Sequence, residues 1–436
     1  MCASPSCCAL RSCVQPDNKK FNFAEAFLNE WIWTAILCYV VIVMLYTKEM
    51  EGNYAYGFSI GMTFTAAGVS APISGGGLNP AMSFGLWFSS TFNKYSGNDC
   101  AENGWANMWY FLLAPIAGAF SAWLIHRITH EARWEQWHDV IMEFFGTFFL
   151  TYAMCTTIVA AGAGFISIGF LVAVLVYVGF HKKSGHYNPV VSLAVWINKG
   201  LEGKRFGFYC AAQCTAAFAA AIIGYLTTRY DNNLTDLEPY HPKAAANENK
   251  FGALLANFIF TSFVAFTYLV TMAQVHKTGI KANPFFGIII GFSIMAGYGT
   301  VGNFTSSIFN PAIWLGSSLV YLFSEGGDDV GEIYIYAISG FGGAVAAAFF
   351  YKFFVGDPFE GTAFDSEEGQ LERDREAMRA ASSRRTGGGN GGRASAASSS
   401  GGAGGAGAGA TVMTSNPVAT APADGKPANA AADSSV

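Results

Sequence analysis

The chain has 436 residues, of which 52% are hydrophobic and only 13% charged, with a formal net charge of −5. Soluble domains carry about 25% charged residues, so an ordinary soluble fold is excluded. The small acidic balance, with no basic patch running beside aromatics, argues against a nucleic-acid partner.

Residues 1–20 read as a polar tail holding Cys2, Cys7, Cys8 and Cys13, four of the nine cysteines. They read as free thiols, with acylation as the alternative if the tail faces the cytosol. Cys38, Cys155, Cys210 and Cys214 lie in apolar segments and Cys100 in a polar loop. No CxxC pair occurs, and the spacing fits neither a zinc site nor a disulfide framework. No metal or other cofactor is expected.

Apolar tracts then follow in threes: 22–46, 56–72 and 106–127; 138–161, 164–180 and 206–228; 252–274, 284–300 and 333–354. Nine spans are expected, each near the ~20 residues a bilayer needs. After the second member of each triplet comes a shorter apolar tract opening with Asn-Pro: LNPAMSFGLWF from Leu78, YNPVVSLAVWI from Tyr187 and FNPAIWLGSSL from Phe309. Proline suits the first turn of a helix and asparagine is a preferred cap. Asn79-Pro80-Ala81, Asn188-Pro189-Val190 and Asn310-Pro311-Ala312 are therefore read as helix starts. Ten or so residues at 1.5 Å each span half a membrane.

The first span of each triplet carries a second mark: Glu30 before Thr34, Glu143 before Thr147, and Asn257 before Thr261. Glu30 and Glu143 read as buried carboxylates bonded to backbone. The unit is span, span, half-helix, span, written three times, as internal repeats are in many transport proteins. Three spans per copy invert each copy relative to the one before. Beyond about Gly356 the sequence turns acidic, then basic, then Gly/Ala/Ser-rich, a composition expected to be disordered. Within it, Glu367 to Arg379 reads as a short helix. No cleavable leader is read at the start.

Positive loop residues favour the cytoplasm. Arg127, Arg133, Lys182, Lys183, Lys199, Lys204, Arg205, Lys277 and Lys281 all fall on one side of this arrangement. The acidic stretches 99–102, 231–238 and 325–332 fall on the other, with the Asn233 sequon and Lys94. The C-terminal tail is then cytoplasmic. The N-terminus, with Arg11, Lys19 and Lys20, is external, against the general trend of the charges.

Backbone that leaves the helix at membrane depth is tolerated where it is buried in protein or lines a wet cavity. Half-helix N-termini carry about half a positive charge. Two of them from inverted repeats would meet near the midplane, offer asparagine amides to a passing solute and repel cations. The span interiors hold no Asp/Glu/His relay of the kind an ion-coupled pump uses.

These features resemble the major intrinsic proteins, the aquaporin and aquaglyceroporin channels, over about residues 22–354. KSGHYNPVVS is similar to the family's cytoplasmic pore loop, with His186 two before the asparagine. SIFNPAIWLGSSL and SGGGLNPAMSFG are similar to the outer loop. Glu143 and Thr147 match the ExxGT helix signature, whose glutamate steadies the pore loops. The resemblance implies an all-α polytopic membrane protein with aquaporin-like inverted repeats. It also implies passive passage of water or small neutral solutes, a homotetramer with one pore per chain, and a plasma or vacuolar/intracellular membrane. Four departures stand out. There are three repeats in place of two. The outer-loop arginine is replaced by Ile313 or Met82, the second-motif alanine by Val190, and the signature glutamate by Asn257.

Repeats two and three follow the family order, so residues 131–355 are expected to form the channel core, with 21–130 an added three-span repeat. Matching to the family then gives Ile168, Tyr298, Ser307 and Ile313 as the selectivity filter, uncharged and more apolar than a water filter. The aspartate that marks glycerol channels is absent, Trp314 standing there. The alternatives are a permuted pore from the first two repeats, with Ala67, Gly76 and Met82 at the filter, and a non-conducting structural protein on the same fold. An intramembrane enzyme would need a second catalytic base beside Ser184 and His186, and none is evident.

Overall fold

The computed structural model describes residues 22–92, 105, 107–157, 164–228, 240, 250–278, 283–306, 308–326 and 332–356. All of these lie within one compact unit, Met1–Arg373. The cysteine-bearing N-terminal tail, Cys100, Lys94, the Asn233 sequon, Ser307 and the C-terminal tail lie outside the described residues.

Among the described residues all regular structure is helical, and it repeats as read. Repeat one comprises α1 (Phe23–Tyr46), α2 (Tyr56–Val69), α3 (Pro80–Phe92) and α4 (Met108–His130). Repeat two comprises α5 (His138–Thr156), α6 (Gly164–Phe180), α7 (Pro189–Ile197) and α8 (Gly203–Thr228). Repeat three comprises α9 (Lys250–Thr278), α10 (Phe286–Thr305), α11 (Pro311–Glu325) and α12 (Ile333–Phe354). Five of these, α1, α4, α8, α9 and α12, are long and apolar enough to cross a membrane by length and composition. The other full helices are shorter or carry more polar residues.

Local chemistry sets the ends. Asn22 and Glu25 form a reciprocal capping box at the start of α1, satisfying donors that a helix N-terminus leaves open. Each Asn-Pro opens its half-helix with proline at the first position, where its missing N–H costs nothing. α5 stops at Thr156, short of the expected 161. The Thr157 N–H folds back onto Ala153 and Met154, and a Gly-rich stretch follows. α10 runs on to Thr305, where Ser306 turns left-handed at φ 54°. The third half-helix runs 15 residues, because its apolar face continues through Leu322 and Phe323 before Gly326 caps it at φ 84°.

α6 is buried along nearly its whole length and packs against both α10 and α2. Its contact with α10 is a backbone approach. A Cβ on Gly291 would sit 2.3 Å from the Gly169 carbonyl oxygen and 2.6 Å from the Ala173 Cβ. Small-residue faces of this kind let membrane helices come close enough to gain dense van der Waals contact. Repeat one joins repeat two through directed bonds as well as packing. The Ser167 hydroxyl donates to the Ala66 carbonyl at 2.9 Å, and the Tyr152 hydroxyl to Asn29 Oδ1 at 3.2 Å. Gly57 and Gly61 of α2 stand at the positions matching Gly287 and Gly291 of α10, yet nothing lies within 4 Å of a Cβ built there.

Paired substitutions separate these two settings. Gly291→Leu is expected to lower the thermal midpoint of the purified protein, read by size-exclusion chromatography after heating, through an overpacking cost of at least about 1–3 kcal/mol. Gly61→Leu is expected to stay within about 0.5 kcal/mol of wild type.

Candidate pore between the second and third repeats

The N-termini of α7 and α11 meet. Each asparagine caps its own half-helix: Val190 N–H donates to Asn188 Oδ1 at 2.9 Å, and Ala312 N–H to Asn310 Oδ1 at 3.1 Å. Each also reaches across. Asn188 Nδ2 donates to the Phe309 carbonyl at 2.9 Å, and Asn310 Nδ2 to the Tyr187 carbonyl at 2.7 Å. An amide has two N–H donors, so one on each asparagine is left over. Pro189 and Pro311 occupy the first helical positions. Val190, in place of the smaller alanine, is fully buried, with Pro311 and Gly340 of α12 as neighbours. Ala312 is fully buried.

A cavity of about 50 Å³, taken as the space open to a water molecule's centre, runs past both asparagines. At roughly 10–15 Å³ per water this holds about three to five. Its wall is mostly apolar and comes from α5–α7, α9–α11 and the two loops. Ile168, Tyr298 and Ile313 all line it, as do His186, Asn188 and Asn310. Ile168 and Ile313 are each only 2% exposed.

The cytoplasmic-type loop of repeat two hangs on Glu143. Its Oε1 accepts from the Ser184 hydroxyl and the Gly185 and His186 N–H groups at 2.8–2.9 Å. Its Oε2 accepts from the Tyr187 N–H at 2.6 Å and from Gln213 Nε2 at 2.8 Å. The Tyr187 backbone is left-handed at φ 48°. Its ring fills the space where side chains on Gly146 and Gly179 would stand, and its hydroxyl donates to the Leu175 carbonyl. That posture aims the Tyr187 carbonyl at Asn310. His186 Nδ1 pairs with the Ser192 hydroxyl at 3.0 Å, and Tyr209 and Tyr268 meet its ring edge to face.

Repeat one keeps the loop but not the meeting. Glu30 accepts from the Ser74 hydroxyl and the Gly77 and Leu78 N–H groups, and Leu78 is left-handed at φ 49° like Tyr187. Asn79 caps α3 through Ala81 N–H at 2.9 Å, but Asn79 and Ala81 are exposed and Pro80 is partly so. Of the alternative filter residues, Met82 is 36% exposed, and neither it nor Ala67 or Gly76 is among the residues lining this cavity. In repeat three Asn257 donates to the Ser339 hydroxyl at 2.7 Å, and Tyr336 donates to the Thr305 carbonyl at 2.6 Å.

Sequence reading passed over Gln213, Ser339 and Tyr336. Gln213 carried a signal, as a lone amide inside an otherwise apolar span, where polar residues face the bundle interior. Tyr240, from the linker between the repeats, was also missed. It packs beside Cys155, Phe218 and Val320, and its hydroxyl lies 3.4 Å from that of Tyr298. Glu143→Gln would turn one acceptor into an NH₂ facing donors. It is expected to cost about 2–3 kcal/mol of stability, and Glu30→Gln less, since Glu30 accepts three bonds to Glu143's five. Thermal midpoints in detergent check the order.

The sequence was also compared with known families. The family model described as "Major intrinsic protein" matches residues 8–126 and 130–351, together well over half of the chain. Among curated relatives, Aquaporin NIP1-1 of Oryza sativa subsp. japonica is 27% identical over 222 residues, covering 49% of this chain and 72% of its own length. Aquaporin AqpM of Methanothermobacter thermautotrophicus is 28% identical over 243 residues, covering 49% and 95%. The glycerol uptake facilitator protein of Pseudomonas aeruginosa is 28% identical over 204 residues, covering 41% and 72%. Among solved structures, the aquaglyceroporin of Plasmodium falciparum aligns at a TM-score of 0.39 with 19% identity, over 49% of this chain and 94% of that one. With its helical repeats and membrane-length apolar helices, the chain is an integral membrane protein that belongs to the major intrinsic protein family.

Proposed function

We propose that residues 131–355 are a passive channel for water and small neutral solutes of the glycerol, urea, ammonia and peroxide class, and that residues 21–130 are an added flank. The observation that carries the reading is the reciprocal bonding of Asn188 and Asn310 beside a narrow cavity that both line. Each has a donor left for a solute. The two half-helix N-termini add a positive field that opposes cations. Ile168, Tyr298 and Ile313 form the filter in this reading, with Ser307 as its fourth member. His186 and Glu143 support the inner loop. The relatives are named as aquaporins and as glycerol facilitators, which fits a filter without arginine that passes more than water. The matching of the family model in two stretches, 8–126 and 130–351, favours the division into flank and channel. Nine membrane crossings and three half-helices complete the topology. A homotetramer is the assembly that the family resemblance implies.

The test is osmotic shrinkage of vesicles carrying the purified protein, followed by stopped-flow light scattering. Shrinkage in sorbitol faster than empty vesicles is expected, with re-swelling when glycerol is the osmolyte. Asn188→Asp and Asn310→Asp, which replace the crossing amide with a charge, are expected to abolish conduction. Asn79→Asp is expected to leave it nearly intact. Equal loss in all three would contradict the 131–355 assignment. Wild-type rates equal to empty vesicles would identify a non-conducting scaffold.

A further inference from the structure

Tyr298 lines the cavity, and its hydroxyl has partners of its own. It lies 3.4 Å from the Tyr240 hydroxyl and also bonds the side chain of Thr157. The Thr157 hydroxyl in turn donates to the Met154 carbonyl at 2.7 Å, which leaves its oxygen free to accept. Neither Tyr240 nor Thr157 lines the cavity. The polar end of Tyr298 is thus held on the protein side of the wall. Among the described filter residues the cavity meets Ile168, Ile313 and Tyr298.

We propose that Tyr240, supplied by the linker between repeats two and three, is a positioning residue for selectivity: with Thr157 it holds the Tyr298 hydroxyl out of the lumen and so keeps the Ile168–Tyr298–Ile313 side of the filter apolar. The proposal rests on the reading of α5–α12 as the channel. Water passing these three side chains gives up hydrogen bonds and gets none back from them, which slows it. A solute with a hydrocarbon face, such as glycerol, loses less there. Tyr240 is anchored for the task by packing against the cluster of Cys155, Ala221 and Val320, which come from α5, α8 and α11. Removing its hydroxyl would leave the ring in place and take away one of the two partners that hold the Tyr298 hydroxyl, so that it turns inward part of the time, gives water a partner and narrows the way for larger solutes.

The experiment measures water and glycerol permeability of vesicles carrying equal amounts of full-length wild type, Tyr240→Phe, Tyr298→Phe and the double variant. Tyr240→Phe is expected to raise water permeability about threefold, the size of one modest hydrogen bond, while glycerol permeability does not rise. In the Tyr298→Phe background the same change is expected to have no further effect, because no hydroxyl remains to be released. A general loosening of the mouth would raise both permeabilities and would overturn the proposal. So would no change in Tyr240→Phe, or an equal change with and without the Tyr298 hydroxyl. A wild type at empty-vesicle rates would overturn the channel reading and this inference with it, whereas a conducting wild type with an indifferent Tyr240→Phe would overturn this inference alone.

Discussion

Two asparagine amides, each bonded to the backbone just before the other, are the constraint on which the rest of the described architecture depends. Each side-chain oxygen is committed to its own helix and one N–H to the opposite loop. The half-helices therefore hold one another at fixed separation, and the polar ends that a membrane would otherwise penalise are matched inside protein. The left-handed Tyr187, the glycines that admit its ring and the carboxylate behind the loop all serve to aim one carbonyl. The close approach of α6 and α10 through Gly169 and Gly291 brings the two repeats near enough for that bond to close.

The support behind the two loops is not symmetric. Repeat two uses a charged acceptor with five donors around it. Repeat three uses a neutral amide on Ser339 and a tyrosine hydroxyl on the Thr305 carbonyl. Bonds to a charged acceptor are roughly twice as strong as neutral ones, so each contact made by Glu143 is stronger than the Asn257–Ser339 bond that stands at the matching position in repeat three.

Much of this was legible in the sequence because it rests on local rules. Asn-Pro at the head of an apolar tract specifies a capped helix start whatever surrounds it, and all three half-helices begin at their prolines. Periodicity and length placed the nine full helices to within a few residues. The boundaries that shifted, at Thr156 and Thr305, depend on where a carbonyl finds its last donor, which composition does not encode. Ile168, Tyr298 and Ile313 line one cavity although they are 130 and 15 residues apart in steps along the chain, and only the repeat pattern linked them. Gln213 and Ser339 were passed over because a single polar residue in a span has no periodic signature. Tyr240 was passed over because it sits in a long polar linker and gains its place from packing against three separate helices.

Repeat one shows the unit without a facing half-helix. Its loop is folded on Glu30 and its asparagine caps its own helix, although no inverted partner meets that asparagine among the described residues. The re-entrant turn therefore does not need the crossing bonds: a buried acceptor behind the loop and an asparagine cap shape it, and the cavity calls for a second half-helix besides.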